Sequence, residues 1–155
     1  MPILLSYLLD TNILLRLAAP DDPLHREVSA ALESVIRAGA KTCYTPQNLL
    51  EFWDVQTRPK ANNGFGVPVA QADREAILIE SRFALFPDNE RVHTEWRRRR
   101  LVVAHSVLGK QVHDARLVAA MIVHGVTYLL TLNTSDFARY REITAVYPQT
   151  LAQAQ

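Results

Sequence analysis

The chain has 155 residues, of which 48% are hydrophobic and 21% are charged, and its formal net charge is +1. This length is typical of one globular domain, and the apolar content excludes a disordered or collagen-like chain. Because 17 basic residues stand against 16 acidic ones, the overall charge indicates no preference for nucleic acid or membranes. The one cysteine, Cys43, excludes an intrachain disulfide and a thiolate zinc site, which favours a reducing cytoplasm.

An apolar stretch over 3–19 opens the chain, but it does not have the pattern of a signal peptide. It lacks a basic leader, and it contains Asp10 and Arg16. No apolar run approaches the ~20 residues that a membrane-spanning helix needs. We therefore expect a soluble cytoplasmic protein without membrane contact.

Strand patterns alternate with helix patterns along the chain. Short apolar runs predict strands over Ile3–Leu9, Lys41–Tyr44, Val126–Leu132 and Ile143–Tyr147. Caps and helical spacing predict helices from Asp22-Pro23 to Gly39, from Thr45-Pro46 to Pro59, from Ala76 towards Pro87, after Asp88-Asn89 through Val92, Trp96 and Val103, and over His113–His124 with Gly125 as its cap. The segment Lys60–Pro68 has the composition of a loop.

This alternation predicts one α/β domain over residues 1–155 with a mainly parallel sheet. In such folds the reactive groups lie beyond the carboxyl ends of the strands. Asp10 and Asp136 follow predicted strands, and Glu51 and Asp114 lie early in predicted helices. The sheet is therefore expected to bring acidic side chains to one edge.

These four acids form the candidate site. Two unit charges ~4 Å apart repel by about 4 kcal/mol at an effective dielectric of 20, so protons or a divalent cation must relieve the repulsion. Oxygen ligands without thiolates favour Mg²⁺ or Mn²⁺. Taken singly, each acid also suits a turn, an N-cap or a helix N-terminus. Glu51 and Asp114, however, both border apolar faces, which a surface acid does not require.

Four ordered motifs resemble those of a PIN-domain ribonuclease, and within that family the VapC-type toxins of type II toxin–antitoxin pairs. The motifs are Asp10-Thr11-Asn12, Pro46-Gln47-Asn48-Leu49-Leu50-Glu51-Phe52-Trp53, His113-Asp114-Ala115-Arg116-Leu117-Val118-Ala119-Ala120-Met121 and Leu130-Thr131-Leu132-Asn133-Thr134-Ser135-Asp136-Phe137. The resemblance implies a three-layer fold with helices on both sides of the sheet. It also implies an acidic pocket that binds Mg²⁺ or Mn²⁺ and hydrolyses RNA phosphodiester bonds.

The resemblance assigns roles to individual residues. Asp10, Glu51 and Asp114 match the core acidic positions of the family, and Asp136 matches a more variable fourth. Asn133 departs from the pattern, since relatives often carry another acid in that turn. Our hypothesis is that Asp10 and Asp114 are direct metal ligands, while Glu51 and Asp136 orient water or a second ion. Short polar or imidazole side chains near them are candidates for support or substrate contacts, namely Thr11, Asn12, Thr131, Asn133, Thr134 and His113.

A basic stretch runs from Arg82 to Arg116 and contains the consecutive arginines Arg97–Arg100. It is a candidate for RNA phosphate contacts, although four successive helical residues point in four directions and a solvated face is an equal alternative. VapC-like proteins usually dimerise and bind a small antitoxin. The resemblance therefore implies a homodimer and an antitoxin partner, for which Trp96 is a candidate contact.

Two other functions remain open at this point. A non-catalytic PIN-like module that binds RNA or a partner would retain the fold without turnover. A phosphatase with an aspartate nucleophile would also place an Asp after its first strand, but it requires a second Asp at the position of Asn12. A receiver domain likewise needs an acidic pair there.

Overall fold

The computed structural model describes residues 5–97 and 101–152. A five-stranded sheet with the order β3-β2-β1-β4-β5 forms its centre, and every strand pair is parallel. In chain order the strands and helices are β1 (Ser6–Leu9), α1 (Thr11–Leu17), α2 (His25–Arg37), β2 (Lys41–Tyr44), α3 (Pro46–Thr57), α4 (Val69–Arg82), β3 (Ala84–Leu85), α5 (Glu90–Arg97), α6 (Gln111–His124), β4 (Tyr128–Leu130), β5 (Thr144–Val146) and α7 (Pro148–Ala152). Short 3-10 turns cover Lys60–Asn62 and Thr134–Phe137.

The sheet is buried on both faces, as its apolar strands require. Along β1, Leu8 packs into a cluster with α6, whereas Leu9 packs into a second cluster with α1, α2 and α3. Leu129 and Leu130 divide between the same two clusters. Side chains alternate across a strand, so one apolar run supplies both cores. The predicted α/β three-layer class with a parallel sheet is confirmed.

Helix α3 shows how local sequence places a functional residue. Thr45 caps the helix: its hydroxyl accepts the Asn48 N–H, and Asn48 Oδ1 accepts the Thr45 N–H at 2.9 Å. Asn48 is fully buried and also donates from Nδ2 to the Thr11 hydroxyl at 3.3 Å. This reciprocal cap fixes the start of α3 against α1, and Glu51 follows on the second turn.

Several predicted boundaries are wrong. Helix α1 was not predicted, because its apolar sequence continues that of β1 without a change of period. Helix α2 begins at His25 rather than at Asp22-Pro23, since the Asp22 carboxylate accepts the Leu24 N–H at 2.8 Å in the preceding turn and pairs with Arg16. The predicted first strand starts at Ser6, and residues 3 and 4 lie outside the described part.

The C-terminal half differs in smaller ways. Ala84, predicted at a helix end, pairs with Cys43 as part of β3. Val103 lies in a turn beyond α5 and is exposed. The five-residue helix α7 was not predicted. The predicted strand over Lys41–Tyr44 and the Gly125 cap of α6 are confirmed, with Gly125 at φ 70° in the left-handed region.

Candidate active site

Asp10 lies at the carboxyl end of β1, where it caps helix α1. The Thr11 N–H donates to its Oδ1 at 2.7 Å. The Thr131 hydroxyl donates to its Oδ2 at 2.8 Å, and Asn12 Nδ2 approaches the same oxygen at 3.4 Å. Asn12 Oδ1 in turn accepts the Leu132 N–H at 3.2 Å, so this residue joins the ends of β1 and β4. Asp10 is 7% exposed, and neutral donors fix both of its carboxylate oxygens.

Glu51 is held in the same region by two further neutral donors. The Thr11 hydroxyl donates to Oε2 and Gln47 Nε2 donates to Oε1, both at 2.8 Å. Gln47 also donates to the His113 carbonyl oxygen at 2.9 Å. This second bond ties α3 to the first turn of α6, which carries Asp114. Gln47 therefore links the positions of two of the four acids.

Asp114 lies where two surface grooves meet. One, which we call the acidic groove, has a volume of about 300 Å³ and is lined by Lys110, Gln111, Asp114, Ser135, Asp136, Arg139 and Tyr140. The other, the central groove, has a volume of about 540 Å³ and is lined by Thr11, Gln47, Leu50, Glu51, Asp54, Val55, Arg58, Lys110, His113 and Asp114. Since Asp114 and Lys110 line both, the grooves form one cleft along the edge where β1 and β4 end.

Three of the four acids line the cleft, and the fourth, Asp10, is buried and interacts with them electrostatically. Burial raises the pKa of Asp10 to about 6, and the charges of Glu51 and Asp136 act in the same direction. Burial also raises the pKa of Asp114 to about 6, assisted by the other three carboxylates and opposed by His113. Each shift means that ionisation is costly in the metal-free protein. A cation bound here would relieve that cost.

The donor chemistry of the site fits a hard divalent cation, because carboxylates and hydroxyls supply only oxygen ligands. Across residues 5–97 and 101–152, no three His, Cys, Asp or Glu side chains are grouped so that they could hold one metal ion. Magnesium usually binds through one or two carboxylates and keeps several waters. The site therefore fits an open, hydrated ion held by few side chains, and it does not fit a closed cage.

Comparison with known proteins identifies the family. The family model of the PIN domain matches residues 7–143. The chain belongs to the PIN domain family. A comparison with curated protein sequences finds no match.

Solved structures similar to this PIN domain include toxin–antitoxin complexes. VapBC2 from Rickettsia felis, bound to a promoter DNA fragment, has a TM-score of 0.69 at 15% identity, over 92% of this chain and 98% of that one. FitAcB from Neisseria gonorrhoeae has a TM-score of 0.63 at 17% identity, over 92% and 97%. VapC20 from Mycobacterium tuberculosis, a toxin that cleaves the sarcin–ricin loop, has a TM-score of 0.56 at 16% identity, over 80% and 87%. At these identities the likeness shows the shared fold.

The PIN domain brings most of the predicted site residues together. Asp10, Glu51, Asp114 and Asp136 interact electrostatically, and Thr11, Asn12 and Thr131 contact the carboxylates as described above. The Asn133 N–H donates to the Thr131 hydroxyl at 3.0 Å, so Asn133 supports the site through its backbone. Among the described residues that line the two grooves, neither Asn133 nor Thr134 occurs. The His113 side chain lines the central groove.

Of the cations in the cleft, Lys110 belongs to the predicted basic stretch from Arg82 to Arg116, whereas Arg58 and Arg139 were not predicted. Lys110 lines both grooves, Arg139 lines the acidic groove and Arg58 lines the central groove, where it pairs with Asp54. Within the described chain, neither Lys110 nor Arg139 pairs with a carboxylate at salt-bridge distance. Lys110 and Gln47 each precede a site acid by four residues, which is one helical turn and could have identified them.

Of the predicted run of four arginines, the structure describes Arg97. Arg97 is exposed at the end of α5 and lines neither groove, and residues 98–100 lie outside the described part of the chain. Within that part, no helix combines the length and the apolar character that a membrane crossing requires.

Proposed function

We propose that this PIN domain is an endoribonuclease that depends on Mg²⁺ or Mn²⁺ and hydrolyses RNA phosphodiester bonds. The observation that carries the proposal is the electrostatic interaction of four carboxylates at the carboxyl edge of the sheet, three of which line the cleft while the fourth, Asp10, is buried. The oxygen-only donor set supports a hard cation, and membership of the PIN family supports a nuclease. The open cleft is also consistent with a long substrate.

In this proposal Asp10 and Asp114 hold the metal ion, while Glu51 and Asp136 orient water. A divalent cation, when bound, lowers the pKa of a water ligand and compensates charge on the phosphoryl and leaving oxygens. The hydrogen bonds from Thr11 and from Thr131 keep the carboxylates in place without neutralising them. Neutral donors leave the negative charge of the carboxylates available to a metal ion, whereas a salt bridge would neutralise it.

The cleft cations hold the RNA in the same proposal. Lys110 and Arg139 lie beside Asp114 and Asp136, where the backbone of a bound strand would otherwise meet only negative charge. Contacts to phosphate oxygens position a nucleic acid without reading its sequence. We therefore assign the phosphates on either side of the scissile bond to these two side chains.

We further propose that the protein is the toxin of a toxin–antitoxin pair, acting in the cytoplasm as a homodimer and held inactive by a small antitoxin. The similarity to the fold of VapBC and FitAcB complexes supports an antitoxin partner. The similarity to a toxin that cleaves the sarcin–ricin loop supports RNA as the substrate. Growth arrest on induced expression, relieved by co-expression of a small adjacent open reading frame, would test this part.

Cleavage of total RNA by purified protein tests the enzymatic part. With Mg²⁺ or Mn²⁺ we expect discrete, mappable ends, and with EDTA we expect none. Asp10→Asn and Asp114→Asn should lower the rate by more than about 100-fold, because loss of residues that only support metal ligands already costs about 10–100-fold. Asp73→Asn is the matched control, since Asp73 is an exposed acid on α4.

The outcomes separate the proposed functions. RNA binding without metal-dependent cleavage would favour the non-catalytic module. Phosphate trapped on Asp10 would favour the phosphatase. Cleavage that survives both substitutions would refute the assignment of the site.

A further inference from the structure

A third groove joins the cleft on its α3 side. It has a volume of about 500 Å³, and it shares Gln47, Leu50 and His113 with the central groove. We call it the Trp96 groove, after one of the residues that line it. A strand lying in the cleft would therefore pass directly into it.

Two planar side chains in the Trp96 groove are held rigidly. Arg116 makes a two-point contact with Asp88, with Nη2–Oδ1 at 2.7 Å and Nε–Oδ2 at 3.1 Å. The guanidinium carbon of Arg116 lies 5.2 Å from the centre of the Trp96 ring. The indole N–H of Trp96 donates to the Val112 carbonyl at 3.2 Å. Because its charge is already paired, Arg116 presents a flat surface rather than a free cation.

The Trp96 groove also contains an apolar side chain that is open to solvent. Leu50 is 73% exposed, although its neighbour in sequence is the site acid Glu51. A leucine exposed to this degree packs against nothing in the monomer that requires its size. It therefore offers contact area to a ligand entering the groove from the cleft.

We propose that the Trp96 groove binds one unpaired nucleobase of the RNA substrate, next to the phosphate that is cleaved. This inference rests on the proposed ribonuclease function. Proteins recognise single-stranded RNA by splaying bases onto aromatic rings or arginine planes, and the paired Arg116 on Trp96 forms such a plane. Lys110 and Arg139, which pair with no carboxylate among the described residues, line the adjoining cleft and do not line the Trp96 groove. The cationic side chains are thus placed for the RNA backbone, and the apolar surface of the Trp96 groove is placed for a base.

The test uses a short single-stranded oligoribonucleotide taken from a mapped cleavage site. A series of oligonucleotides lacks the base at one position at a time on either side of the cut, and KM and kcat are measured for each. For the wild type, one position should raise KM about 5- to 150-fold when its base is absent, the range expected for one stacked base.

Leu50→Ala and Arg116→Ala should raise KM for the intact oligonucleotide. In these variants, removal of that same base should cause no further rise in KM, because the substitution and the missing base abolish the same interaction. Leu78→Ala is the matched control: Leu78 is 59% exposed on α4 and lines none of the three grooves among the described residues. Leu50→Ala keeps the test valid if Arg116→Ala does not fold.

Each outcome has a distinct meaning. If Leu50→Ala and the wild type respond equally to every missing base, the groove is not a base site. If Leu50→Ala weakens binding of a co-expressed small protein and leaves KM unchanged, the groove is a protein contact and our inference is wrong. If the wild type neither binds nor cleaves RNA, the proposed function fails and this inference fails with it.

Discussion

Asp10→Asn should stabilise the metal-free protein at neutral pH, although it removes the most buried acid of the site. Burial raises the pKa of Asp10 to about 6 from an ordinary value of 3.8. The native state therefore binds this proton more tightly than the unfolded chain does. The contribution of this proton to the free energy of unfolding is complete below about pH 4, and it is lost as pH rises through about 6.

The size of the effect follows from the two pKa values. A pKa difference of one corresponds to about 1.4 kcal/mol, so ionised Asp10 costs the native state about 3 kcal/mol at neutral pH. Between pH 5 and pH 7.5, ionisation of Asp10 should lower the free energy of unfolding by about 1.4 kcal/mol. Asparagine has no charge, but its amide places a donor opposite the Thr131 hydroxyl, which offsets about 1 kcal/mol. We therefore expect a net stabilisation of about 2 kcal/mol at pH 7.5.

Urea unfolding in EDTA at several pH values between 5 and 7.5 measures this difference. The free energy of unfolding should fall more steeply with pH for the wild type than for Asp10→Asn, and Asp73→Asn should follow the wild type. At pH 7.5, Mg²⁺ or Mn²⁺ at about 100 times its Kd should stabilise the wild type by about 2.7 kcal/mol, and the variant by less. Parallel pH profiles for the wild type and Asp10→Asn would refute the reasoning.

Three further substitutions test the hydrogen bonds to Glu51, the cations of the cleft and the hydrophobic core. Gln47→Ala should lower kcat for RNA cleavage about 10- to 100-fold with little change in KM, because Glu51 then keeps only the hydrogen bond from the Thr11 hydroxyl. Gln71→Ala, which breaks the equivalent Gln–Glu pair on α4, should change neither constant. Arg139→Ala should reduce the salt slope of RNA binding by about 0.7, and an unchanged slope, as expected for Arg97→Ala, would exclude a phosphate contact. Phe52→Ala, at a fully buried position, should lower the free energy of unfolding by about 3–5 kcal/mol in urea.

The sequence was informative about the fold wherever a local signal agreed with packing. Thr45-Pro46 and Gly125 mark the ends of helices by their own chemistry, and both predictions are confirmed. Helix α1 could not be recognised, because seven residues with an almost continuous apolar pattern fit a buried strand as well as a buried helix. Strand β3 is two residues long, and its pairing with β2 defines it rather than any propensity.

The sequence predicted that the four acids lie near one another, but it did not predict the contacts that hold them. Thr131 donates to Asp10 across 121 residues of sequence, and Thr11 to Glu51 across 40. Such contacts depend on the register of parallel strands, which no local pattern specifies. Thr131 was a candidate because it follows a strand, but its hydrogen bond to Oδ2 becomes apparent only when β1 and β4 lie side by side.

The distribution of charge explains why a net charge of +1 is a poor guide to this protein. Asp10 and Glu51 are held by neutral hydroxyl and amide donors, and among the described residues none of the four site acids forms a salt bridge. Lys110 and Arg139 line the same cleft and pair with no carboxylate among the described residues. Salt bridges between these cations and the site acids would stabilise the metal-free fold. They would also occupy the carboxylates that a metal ion needs and the cationic side chains that a phosphate needs. Burial raises the pKa of Asp10 to about 6, so an ionised Asp10 without a bound cation costs the fold stability.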